Sequence, residues 1–225
     1  MSLWSAIALG FGPSLFWLWL VHRHDDHERE PWSHIVAALA LGALSVLGVL
    51  WSRPWLADLL GPCPPLLETF VLTALNEEVW KIAAMLPLLC CAELDEPLDG
   101  VVYGAACGLG FAGVENVLYA QLGAGFSVPI QRAFTATLLH AACSGSFGFA
   151  LAMVKLDRGG RWRALWPLFG LLLAVTVHGL YDAFLDGDRV RAQVSLFLVL
   201  PAALYLLTVK MHWARARSPH YHPDE

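Results

Sequence analysis

Two carboxyls and an ammonium stand within two helical turns in Asn76-Glu77-Glu78-Val79-Trp80-Lys81. Further along come Phe111-Ala112-Gly113-Val114-Glu115-Asn116, then His140, then His178-Gly179-Leu180-Tyr181-Asp182. Acids and imidazoles of this kind relay protons, activate water or ligate metal ions. On a helix, Glu77 and Lys81 share a face at a spacing of four and can pair, as can His178 and Asp182. Glu78 is turned about 100° from Glu77 and meets a different neighbour. An ion pair that only fixes helix packing explains one Glu and the Lys, but leaves the second Glu without a reason.

The elements that must position these residues are apolar. Of 225 residues, 57% are hydrophobic and 15% charged, and the mean hydropathy is +0.57; a soluble domain carries about 25% charged residues. Apolar runs of span length recur at about 2–21, 33–51, 66–91, 98–121, 132–154, 164–185 and 192–211. Lipid offers no partner to an open backbone, so each run is expected to be a helix. The predicted fold is all-α, a polytopic transmembrane bundle of about seven spans. It forms one domain over 1–212, with a polar tail at 213–225 expected to be disordered. The first run, Leu3 to Val21, has no basic region before it and no small-residue cleavage site after it. It reads as a retained span rather than a signal peptide. Trp17, Trp19, Trp32, Trp51, Trp55, Trp162, Trp166 and Trp213 fall near span ends, where Trp favours the interface. The five cysteines are odd in number and mostly inside apolar runs, as small buried hydrophobes are. No basic stripe for nucleic acid is present.

Lys and Arg outside the spans divide nine against four, counting Arg23, Arg29, Lys155, Arg158, Arg161, Arg163, Lys210, Arg215 and Arg217 on the richer side. The positive-inside rule then puts the C-terminus in the cytoplasm and the N-terminus outside. Three ions in the third span cost about 8–10 kcal/mol, whereas its strongly apolar residues return about 3–7 kcal/mol. That helix needs partners, and something must favour keeping its charges. Ionisable residues inside spans usually face a cavity and mark function, and here four successive spans carry them. Glu77 lies about 16 Å along its span from the outer side. Glu115, His140 and Asp182 also lie nearer the outer ends of theirs, so one polar cavity open toward the outer leaflet is expected. The ladder Gly100, Gly104, Gly108 and Ala112 lets another helix approach closely and can hold a polar residue at fixed depth.

The ordered set Glu77-Glu78-x-x-Lys81, Phe111-x-x-x-Glu115-Asn116, His140 and His178-x-x-x-Asp182 resembles the motifs of the PrsW family. That family belongs with the CAAX prenyl endopeptidases and bacteriocin-immunity membrane proteases. Glu30-Pro31, the stretch from Asp99 through Tyr103 to Phe111, and Arg132 are similar to further family elements, whereas Asp26 and Glu28 match no fixed spacing. The resemblance spans about residues 25–185. It implies an intramembrane endopeptidase of a bacterial cytoplasmic membrane, acting on a membrane-anchored protein or peptide. The family's name-giving members cut membrane-bound anti-sigma factors from outside, as site-1 proteases.

Peptide hydrolysis needs an activated water, stabilisation of the oxyanion and a proton for the leaving amine. Glu77 is the expected general base. Glu78 would orient the water or hold His140, and Lys81 would balance the two carboxyls. His178 and Asn116 would donate to the oxyanion, with Asp182 fixing the His178 ring or touching the water. A zinc ion held by residues among Glu77, Glu115, His140, His178 and Asp182 is the alternative source of the nucleophile. With no His-Glu-x-x-His motif and ligands scattered over four helices, the sequence favours glutamate without a cofactor. A transporter or proton relay would also bury such residues, but the halves show no inverted repeat. A haem protein with His140 and His178 as axial ligands, and an inactive peptide-binding relative, are the other readings.

Overall fold

The computed structural model describes residues 2–23, 29–122, 126–156, 160–161 and 163–216. Asp26, Glu28, Arg158, Trp162 and the tail from Arg217 onward lie outside the described residues. The described residues are helical, with no strand. Helix α1 (Leu3–Arg23) and helix α2 (Trp32–Leu60) come first. Pro31 precedes α2, and Gly61 closes it at a φ of 62°, which a residue without Cβ adopts freely. A rod follows: α3 (Pro65–Glu68), a π-helical stretch (Thr69–Leu75), α4 (Asn76–Met85) and 3-10 turns (Leu86–Cys90). Next come α5 (Pro97–Gln121), the short α6 (Ser127–Ala133), α7 (Ala136–Leu156) and α8 (Trp166–Leu185). The last span combines α9 (Arg189–Val194), a second π-helical stretch (Ser195–Val199) and α10 (Leu200–Arg215). Proline opens α3, α5 and α8 within the first turn, where its missing N–H leaves nothing unpaired.

Among the described residues, six helices are long and apolar enough to cross a membrane: Leu3–Arg23, Trp32–Leu60, Pro97–Gln121, Ser127–Leu156, Arg163–Leu185 and Arg189–Arg215. The expected third span at 66–91 is the rod from Pro65 to Cys90. It is helical throughout, but Glu77, Glu78 and Lys81 keep it from that set. The last helix runs three residues into the region expected to be tail, to Arg215.

Helix α5 is the axis of the bundle. It is buried from Pro97 to Gly113 and packs on α1, α2 and α7. The glycine ladder faces α7. A Cβ on Gly104 would stand 2.3 Å from the Ser144 carbonyl oxygen, and one on Gly108 would stand 2.3 Å from that of His140. Close packing of small residues therefore fixes the height of His140 against α5, since backbone meets backbone there. Gly108→Ala is expected to destabilise the protein by about 1–3 kcal/mol, the usual penalty for overpacking. Thermal unfolding in detergent reads this, and an unshifted transition would mean that the two helices lie further apart.

At the opposite pole, the Tyr103 hydroxyl donates to Oε2 of the buried Glu30. Oδ2 of Asp99 accepts the backbone N–H groups of Asp95 (2.9 Å) and Glu96 (2.7 Å). The Glu30-Pro31 element and the Asp99-to-Tyr103 stretch thus meet, tying the start of α2 to the first turns of α5.

Candidate active site

Helix α2 sets the height and rotation of the charged rod. Nη1 of Arg53 donates to the Leu72 carbonyl (3.1 Å) and to Oγ1 of Thr73 (3.4 Å), inside the π-helical stretch. Such stretches disturb the regular ladder and recur at functional sites. The Ser52 hydroxyl bridges Oδ1 of Asn76 (2.6 Å) and Nε1 of Trp80 (2.9 Å). These contacts hold Asn76 and Trp80, on either side of the Glu77-Glu78 pair, against α2.

The charged groups form one connected network. Lys81, fully buried, places its ammonium 2.7 Å from Oε1 of Glu78, 3.6 Å from Oε2 of Glu77 and 2.8 Å from Nδ1 of His140. It also lies 4.1 Å over the Phe111 ring, a favourable place for a cation. An ammonium only donates, so Nδ1 of His140 accepts and Nε2 donates to Oε2 of Glu115 at 2.8 Å. Nδ1 of His178 lies 2.8 Å from Oε1 of Glu78, and its Nε2 lies 3.2 Å from Asp182 and 3.8 Å from Glu77. Glu78 therefore holds His178 rather than His140, and Asp182 fixes the His178 ring from one turn away. The two imidazoles meet edge to face at 5.0 Å. Four successive helical segments thus converge, as their intramembrane charges predicted.

A cavity of about 410 Å³ opens beside this network, within the usual ligand-pocket range of roughly 300–1,000 Å³. Its walls come from the C-terminal parts of α2, α5 and α8, the N-terminal part of α7 and the π-helical stretch. Glu77, Glu115, His140 and Asp182 line it. Glu78, Lys81, His178 and Asn116 are buried behind the wall. Asn116 departs from its expected role: its Nδ2 donates to Oγ1 of Thr137 (3.0 Å), and its Oδ1 accepts from Nε of Arg132 (2.7 Å).

Arg132, Tyr119 and Arg53 line the same cavity. In the sequence Arg132 is a family-like position, Tyr119 lies four residues after Glu115 and Arg53 counts among the four charges on the poorer side, but their spacing assigns none of them to the site. Nη2 of Arg132 lies 2.5 Å from Oε2 of Glu115, and its guanidinium sits 4.2 Å over the Tyr119 ring. A lone cation just before an apolar run was the available signal, but nothing in its spacing to Glu115 shows that α6 folds back onto α5.

The donor set fits a metal ion. Glu77, His140 and His178 each bring one ligand atom within 4.8 Å of the others. Oε2 of Glu77 is buried and has no hydrogen-bond partner among the described residues. Two imidazoles and a carboxylate are a common zinc set, and Glu78 on Nδ1 of His178 is the outer partner such a ligand takes. His140 would ligate after giving up either its Lys81 or its Glu115 contact.

A family model described as PrsW family intramembrane metalloprotease matches residues 30–209. The chain is 34% identical over 199 residues to a protein named protease PrsW from Geobacillus kaustophilus, covering 88% of this chain and 87% of that relative. It is 27% identical to the protein of that name from Bacillus subtilis, covering 82% and 84%. It is 29% identical to the one from Oceanobacillus iheyensis, covering 91% and 92%. No solved structure matches.

Proposed function

The chain belongs to the PrsW family of intramembrane proteases, and on that footing we propose that it hydrolyses a peptide bond of a membrane-anchored protein in the cavity beside Glu77. The observation that carries this reading is the Glu77 carboxylate. Its Oε2 is buried without a hydrogen-bond partner among the described residues, on the wall of a polar cavity. Its nearest charged neighbours among the described residues, Lys81 at 3.6 Å and His178 at 3.8 Å, lie beyond hydrogen-bond distance. The carboxylate on the cavity wall is thus left without a hydrogen bond and is free to take a proton from a water.

In the proposed reaction Glu77 takes a proton from a water as the oxygen attacks the scissile carbonyl carbon. The tetrahedral adduct collapses as Glu77 returns that proton to the departing amine, and the C–N bond breaks. Asp182 and Glu78 hold His178 beside Glu77 through its two nitrogens. Lys81 keeps its charge between the two Glu carboxylates and turns the Nε2–H of His140 toward Glu115. Glu77, His140 and His178 are the residues that would hold zinc, which when bound supplies a Lewis acid and a water of lowered pKa. The edge-to-face contact of His140 and His178 leaves no space for a porphyrin between them, which counts against the haem reading.

The positive-inside count supports a cavity facing outward, with the C-terminus in the cytoplasm. The substrate class is then a single-span protein cut near the outer surface, for which the family resemblance offers anti-sigma factors as precedent. The test is reconstitution of the protein in right-side-out vesicles with single-span membrane proteins of its source organism. Wild type is expected to release an outer fragment, and His178→Ala to release it at least about 100-fold more slowly. Absence of any cleaved protein with wild type, or equal cleavage by the variant, defeats the proposal.

A further inference from the structure

Neither residue expected to donate to the oxyanion reaches the cavity. His178 is buried behind Glu77 and Asp182, with a carboxylate at each nitrogen. The Asn116 amide donates to Thr137. The hydrolysis proposed above still needs a donor for the charge that develops on the carbonyl oxygen. Among the cavity walls, His140 has its Nε2–H committed to Glu115, while Glu77, Glu115 and Asp182 are acceptors when ionised. The hydroxyls of Thr69, Thr73, Tyr119 and Tyr181 also line the cavity, but they are neutral donors. Charge-assisted donation is roughly twice as strong, which favours the two cations on the wall, Arg53 and Arg132. Arg53 has its Nη1 turned to the Leu72 carbonyl and Thr73.

Resting on that reading of the cavity, we propose that Arg132 is a catalytic residue, whose Nη1 donates to the oxyanion of the tetrahedral adduct. The guanidinium is held from three sides. Nε donates to Asn116, Nη2 donates to Glu115, and the plane rests against Tyr119. Nη1 makes no hydrogen bond to the described residues, so its two N–H groups are left for a ligand. The fork is rigid and permanently charged, which distinguishes it from lysine at the same place. Donors fixed before reaction need no reorganisation as charge develops, and that is the source of oxyanion-hole catalysis. Asn116 and Tyr119 thereby gain a role as positioning residues. Asn116 occupies one edge of the guanidinium and Tyr119 one face, so that Nη1 is the edge left to the substrate.

Arg132 also neutralises Glu115, and a purely structural salt bridge would explain its burial. The two roles separate in binding measurements, because an oxyanion donor favours the transition state over the ground state. The probes are the peptide cleaved in the vesicle experiment and its phosphinate analogue, which carries a tetrahedral anionic group in place of the scissile carbonyl. Arg132→Lys keeps a cation beside Glu115 but loses the fork. It is expected to weaken phosphinate binding by about 100-fold, with kcat falling in proportion. Affinity for the uncleaved peptide, measured with Glu77→Gln in the background, is expected to change by less than about threefold. Guanidinium ion added to Arg132→Ala should restore part of the lost rate. Equal losses for peptide and phosphinate, or no loss for either, overturn the proposal. Failure of wild type to cleave any peptide would instead strike the protease reading, so the two failures are distinguishable.

Discussion

Glu77→Gln is expected to lower the rate of peptide cleavage by between about 10²- and 10⁴-fold, the range for loss of a general base, while the fold and substrate affinity persist. The amide matches the carboxyl in shape. Because Oε2 of Glu77 makes no hydrogen bond among the described residues, the substitution breaks none at that atom. Lys81 keeps its closest partner, Glu78 at 2.7 Å. Cleavage in reconstituted vesicles and the unfolding transition in detergent are the two measurements. A rate within tenfold of wild type, with an unchanged transition, would remove Glu77 from the chemistry. Zinc content of the same two preparations separates its possible roles. If Glu77 is a ligand beside His140 and His178, the variant retains much less zinc. If it acts only on water, zinc content is the same in both.

The parts of this site that were legible in the sequence are those set by helical periodicity and by the cost of charge in lipid. Glu77 with Lys81, and His178 with Asp182, lie four apart and do meet. Four apolar runs carrying ions do converge, because each ion needs a partner or water. What was not legible depends on the rotation of one helix against another. Glu78 was expected to orient the water or to hold His140, and it is the approach of α8 to α4 that gives it His178 instead. Asn116 was expected to donate to the oxyanion, yet Thr137 one turn before His140 takes its amide. The π-helical stretch ahead of Asn76 adds a turn of different pitch that no hydrophobic pattern announces. It shifts the register of the rod, with Arg53 donating into it from α2. The expected count of about seven spans includes the rod from Pro65 to Cys90, which hydropathy alone passes over. Hydropathy counts a residue's own cost, whereas in the rod Lys81 pairs with Glu77 and Glu78, and His140 and His178 of neighbouring helices complete the set.

Lys81 gives the sharpest test of that pairing. It is a fully buried cation among Glu77, Glu78 and Nδ1 of His140. Lys81→Met keeps much of the side-chain volume and removes the charge, leaving the Glu78 carboxylate, itself 0% exposed, short of a partner. Breaking a buried pair in this way costs about 3–5 kcal/mol, because the remaining ion is uncompensated. Denaturation of the detergent-solubilised protein is expected to show a loss of that size, with correspondingly little folded protein recovered. The double variant Lys81→Met with Glu78→Gln removes the stranded charge as well, so part of the stability should return. Activity should not return with it. In the double variant His178 has lost its carboxylate at Nδ1, and His140 has lost the ammonium that turns its Nε2–H toward Glu115, so both rings are free to adopt the other tautomer. A single-variant loss below about 1 kcal/mol would place the pair in the range of solvent-exposed ion pairs. The four helical segments would then not be held together by their charges, and the apolar contacts of α5 with α7 would have to account for the bundle alone.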